Sequence, residues 1–154
     1  MLEAHEFAVG SLSQAQPGSV VLPRSERDEA FLIGSIGGIT AAVILSGSNA
    51  FHCFGSEGNT SWRGIIIPYV RIEVDPASAF DPDRVSAPLG SIIRSSTTLS
   101  IRAPVLQVYG DDTYVDLVDG LTDAGGHHAA FTDWQIFIGT GHEKRILWTY
   151  KSRD

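Results

Sequence analysis

The stretch "DGLTDAGGHHAAFTDW", running from Asp119 to Trp134, sets His127 and His128 among Asp119, Asp123 and Asp133 with no lysine or arginine between them. Neutral imidazoles and carboxylates are the donors that zinc or iron takes in sets of three or four. Neighbouring residues of an extended segment point to opposite faces, so both histidines reach one ion only if Gly125-Gly126 turns the chain. With such a turn, Asp123, Asp119, His142 or His52 would complete a three- or four-ligand set, the centre of a small metal-dependent β-barrel enzyme. No H-x-H spacing prearranges that set. The favoured reading is a solvated connection between strands, with histidines that hydrogen-bond locally and no cofactor.

Other chemistry is weaker still. "GDDTYVDLVDG" carries aspartates at 111, 112, 116 and 119, which miss the one, three, five spacing of a calcium loop and the glycine at its sixth position. His52 and Cys53 are adjacent and therefore diverge on a strand, so they make no nucleophile–base pair with each other. Cys53 reads as a small buried hydrophobe. Neither a P-loop nor G-x-G-x-x-G, H-E-x-x-H or G-x-S-x-G occurs.

The elements that would position these residues read as strands. "VRIEVD" alternates Val70, Ile72 and Val74 with Arg71, Glu73 and Asp75, and "TLSIRA", "TYVDLV", "WQIFI" and "RILWTY" alternate likewise. "FLIGSIGGITAAVIL" is apolar throughout. Its strongly apolar part, Phe31 to Leu45, falls short of the roughly 20 residues that cross a bilayer. Gly37-Gly38 instead suits a two-residue primed turn between two strands buried on both faces. Pro68 lacks an N–H, so its strand is expected to lie at an edge or to bulge there. "DPASAFDPDRVSAP" reads as turns, with room for one helical turn at most.

The expected fold is therefore all-β, a sandwich or barrel of about eight to eleven short, mostly antiparallel strands with little or no helix. The 154 residues suit one domain, 1–154, without linkers or repeats. The N-terminal "MLEAHEFAVG" carries Glu3 and Glu6 and no basic region before an apolar core, so it does not read as a secretory signal. A single cysteine points to a reducing, cytoplasmic setting.

Eighteen acidic residues against eleven basic give a net charge of −7, which disfavours nucleic acid and anionic membranes as partners. Charged residues make up only 19% of the chain, which suggests that subunits cover part of the surface. The favoured function is that of a non-catalytic β-domain acting by self-association or with protein partners. Phe31, Ile33, Val43 and Leu45 of the apolar hairpin, with Trp62 and Tyr69, are the candidate contact residues.

Overall fold

Gly37 and Gly38 adopt φ of 56° and 85°, the pair of positive values that a primed turn requires and that a β-branched residue resists. The turn joins β3 (Phe31–Ile36) to β4 (Ile39–Ile44), with Ile36 opposite Ile39 and Phe31 opposite Ile44. The computed structural model describes residues 6–25, 29–95, 98–108, 113–117 and 129–151.

Around this hairpin the chain lays down β1 (Ala8–Ser11), β2 (Val20–Leu22), β5 (Cys53–Gly55), β6 (Arg63–Ile67), β7 (Arg71–Val74) and β8 (Ala79–Phe80). There follow β9 (Ile92–Arg94), β10 (Leu99–Arg102), β11 (Tyr114–Leu117), β12 (Ala129–Phe131), β13 (Trp134–Ile138) and β14 (Arg145–Tyr150). One antiparallel sheet runs β1-β6-β2-β3-β11-β10-β9-β12-β8, with β4 on β3 and β5 on β4, and a smaller sheet runs β14-β13-β7. The fold is all-β, of the sandwich or barrel type, and helix among the described residues is confined to short 3-10 turns such as Leu12–Gln14 and Pro76–Ser78. No helix of the described residues is long and apolar enough to cross a membrane.

Alternation places the core. Leu99 and Ile101, Val115 and Leu117, and Trp134, Ile136 and Ile138 all point inward. With Leu32, Val43, Ile67 and Ile72 they form the main core, shared by both sheets. The opposite face of the hairpin, Phe31, Ile33, Ala42 and Ile44, is covered by Leu12 and by the partly buried Phe54, Trp62 and Leu106. Phe31 meets Trp62 edge-on at 4.7 Å. Both apolar faces are thus buried by the chain itself. Hydrophobic burial of this kind is worth roughly 1.5–3 kcal/mol per large side chain.

Three details differ from the sequence expectation. Fourteen strands appear among the described residues rather than about eight to eleven, because pieces of two or three residues such as β5, β8 and β12 are too short to show a period. Gly34, read in the sequence only as part of the apolar run, has a packing role of its own. A Cβ on Gly34 would lie 2.4 Å from the Asp116 carbonyl oxygen, so this glycine admits β11 beside β3. Pro68 neither sits within an edge strand nor makes a bulge. β6 ends at Ile67, before the missing N–H, and lies between β1 and β2.

Candidate functional site

The histidine-rich stretch divides at the limit of the described residues. Asp123, His127 and His128 lie outside them, whereas the following Ala129–Phe131 is β12, paired with β9 and β8 rather than part of a loop. His52 is half-buried in the turn before β5, its Nδ1 3.2 Å from the Asn49 carbonyl. His142 is exposed in the connection from β13 to β14. Among the described residues, no three of His, Cys, Asp or Glu are gathered so as to hold a metal ion. Cys53 is buried in the main core.

Four candidate contact residues also lie inside. Leu45 and Val43 belong to the main core, and Phe31 and Ile33 to the cluster behind it. They present no surface to a partner, because Leu12 and Trp62 cover one face and the rest of the sandwich covers the other. Trp62 is half-buried as part of that cover. Tyr69 behaves differently.

Pro68 stops β6, and three residues later the chain begins β7 in the smaller sheet. This corner is pinned by the Val70 amide, which donates to the Gly18 carbonyl at 2.9 Å. To make the turn Tyr69 takes a φ of 58°, which costs a bulky residue on the order of 1–3 kcal/mol. Its side chain is 90% exposed. Phe51, an aromatic residue at a φ of 62°, offers a contrast. Its ring packs edge-on against Tyr150 at 4.6 Å and Trp148 at 6.0 Å, so buried contacts offset its backbone cost.

Beside Tyr69 opens a cleft of about 260 Å³ lined by Glu6, Ile67, Pro68, Tyr69, Ile138 and Gly139. Ile67 and Ile138 are core residues that reach its floor. Glu6 is held at the rim by Arg145, whose Nη1 donates to Glu6 Oε2 at 2.7 Å. Sequence reasoning singled out Tyr69 but missed Glu6, Ile138 and Arg145. Only the strand order brings those three to the corner.

A second cleft, of about 270 Å³, opens at the other end of the smaller sheet, between Glu73, Asp75, Asp133, Trp134, Gln135 and Tyr150. Its carboxylates serve local structure. Asp75 Oδ1 accepts from the Ala77 amide at 2.9 Å, starting the 3-10 turn, and Asp133 Oδ1 accepts from Thr132 Oγ1 at 3.0 Å. Glu73 accepts from Lys144, and that hydrogen bond holds its carboxyl below the ordinary 4.5. Trp134 is likewise committed, its indole N–H donating to the Gly90 carbonyl at 2.7 Å. The polar groups here tie the sheet ends together. The Tyr69 corner instead pairs a projecting ring with an open cleft.

No solved structure matches the chain. Residues 9–154 match the protein family described as "Uncharacterised protein y4lG". "Uncharacterized protein y4lG" of Sinorhizobium fredii is 45% identical over 154 residues, covering 100% of this chain and 96% of that protein. On both counts the chain belongs to the y4lG family.

Proposed function

We propose that the chain is a single non-catalytic β-domain, residues 1–154, that works by association, as a homo-oligomer or within an assembly of protein partners. One observation carries this reading: Tyr69 stands 90% exposed on a costly backbone conformation, with no ring partner among the described residues. Exposed aromatic residues beside clefts are the usual anchors of protein contacts. Val9 on β1 and Ile146 on β14 support the reading, being 53% and 55% exposed on the two strands that the Glu6–Arg145 pair brackets. The net charge of −7 favours protein over nucleic acid or an anionic membrane as the partner. Cys53 is buried and has no second cysteine in the chain to pair with, which suits the reducing cytoplasm.

Light scattering at micromolar concentration tests the self-association. The expected mass is a multiple of 16.6 kDa. A mass of 16.6 kDa that does not grow with concentration overturns it.

A further inference from the structure

Building on the association reading, we infer that two copies of this chain meet at the Pro68–Tyr69 corner about a two-fold axis, each Tyr69 ring entering the cleft beside its partner's Tyr69. A two-fold contact uses the same patch on both subunits, so that patch must be complementary to itself. A protrusion adjoining a cavity meets this condition, because rotation carries each ring onto the other's cleft. The corner has that form: the residue that projects, Tyr69, is also one wall of the 260 Å³ cleft.

The chemistry of the cleft suits a phenol. Pro68 offers an exposed apolar wall to the ring, above the buried Ile67 and Ile138, and the Glu6 carboxylate at the rim can accept a hydrogen bond from the phenol. Arg145 already orients that carboxylate at 2.7 Å, so it is fixed before the ring arrives. The pair is also close to neutral in sum, and two copies therefore approach without like-charge repulsion at this point.

The backbone of Tyr69 points the same way. Phe51 holds a similar φ and is repaid by buried ring contacts within the chain. Tyr69 holds its φ with the ring in solvent. A partner's cleft supplies the burial that the monomer withholds. One ring is too little for a stable interface, which covers about 800 Å² per copy. Val9 and Ile146, each more than half exposed, extend the apolar surface on the flanking strands.

Sedimentation velocity on the full chain and on Tyr69→Asn tests the proposal. Asparagine accepts a positive φ readily, so the substitution removes the ring while leaving the corner its backbone, and thermal unfolding checks that the fold is kept. A wild-type mass of twice 16.6 kDa, with a dissociation constant raised at least tenfold in Tyr69→Asn, is the expected result. A dimer equally tight in both proteins overturns the corner contact while leaving self-association standing. A monomeric wild type overturns both. Arg145→Ala gives a second reading: with Glu6 no longer oriented, dimerisation should weaken severalfold, and unchanged affinity argues against the phenol–carboxylate contact.

Discussion

The β3–β4 and β13–β14 hairpins are built from strands of nearly equal length and end in opposite ways. In β3–β4 two glycines close the turn, and nearly every position is apolar or small. Leu32 and Val43 enter the main core from one face, and Phe31, Ile33, Ala42 and Ile44 meet the second cluster from the other. In β13–β14 a longer connection with a 3-10 turn joins strands that alternate. Trp134, Ile136 and Ile138 face inward, while Gln135, Phe137, Ile146 and Thr149 line the outer face. A continuous apolar run therefore reports burial on both faces without saying what provides it. Here the cover is intramolecular except at the turn, where Ile39 is exposed, whereas the alternating region leaves Ile146 exposed along its length and Tyr69 at the corner.

The contrast breaks most visibly in the core. Ile33→Ala should lower the unfolding free energy by about 2–5 kcal/mol, through lost burial and the cavity left behind. Thr149→Ser on the outer face should cost no more than about 0.5 kcal/mol in the same urea titration. Equal costs would mean that the two hairpins are not buried differently.

Gly34→Ala comes next, at about 1–3 kcal/mol. Its new Cβ meets the Asp116 carbonyl at 2.4 Å, and backbone cannot swing aside as a side chain does. Retained stability would show that β11 does not pack against β3 at that distance.

Gly37→Val should cost somewhat more than about 1 kcal/mol for a different reason. Nothing lies within 4 Å of its Cβ position, so only the positive φ resists the substitution. Gly37→Asn, which tolerates that φ, should be close to neutral. If asparagine and valine destabilise equally, the primed turn is not what holds β3 to β4.

The smallest effect is electrostatic. The hydrogen bond from Lys144, then its charge and a bond from Gln135, hold the Glu73 carboxyl below 4.5, against the opposing effect of burial. A lowered carboxyl contributes stability above its unfolded value and loses it as pH falls through the folded one. The Glu73 side chain is 47% exposed, so screening keeps the contribution under about 1 kcal/mol. Glu73→Gln should therefore be slightly less stable than wild type near neutral pH, with the gap closing well below pH 4.5. A gap that widens in acid would contradict the sign.

Strands with alternation were legible in the sequence because burial of one face imposes a period of two, as Val115 and Leu117 against Tyr114 and Asp116 show. The hairpin turn was legible because two positive φ values demand glycine or asparagine. β5, β8 and β12 were not, since two or three residues hold no period, and their pairing depends on neighbours supplied by distant chain. Pro68 advertised an interruption but not its kind: a missing donor looks the same whether a strand bulges or ends. The cleft beside Tyr69 was hidden most completely. Glu6, Ile67 and Ile138 are separated by long stretches of chain and come together only because β1 pairs with β6 and β13 with β7.

The pairing of β13 with β14 slips between Ile136 and Phe137: Ile136 faces Trp148 and Phe137 faces Ile146, leaving Leu147 as an extra residue. That bulge lies on the outer strand of the smaller sheet, and Lys144, Arg145 and Lys151 flank it. A bulged, twisted edge is a poor template for strand-by-strand addition. At the β14 edge, then, the smaller sheet is steered away from open-ended growth by added strands.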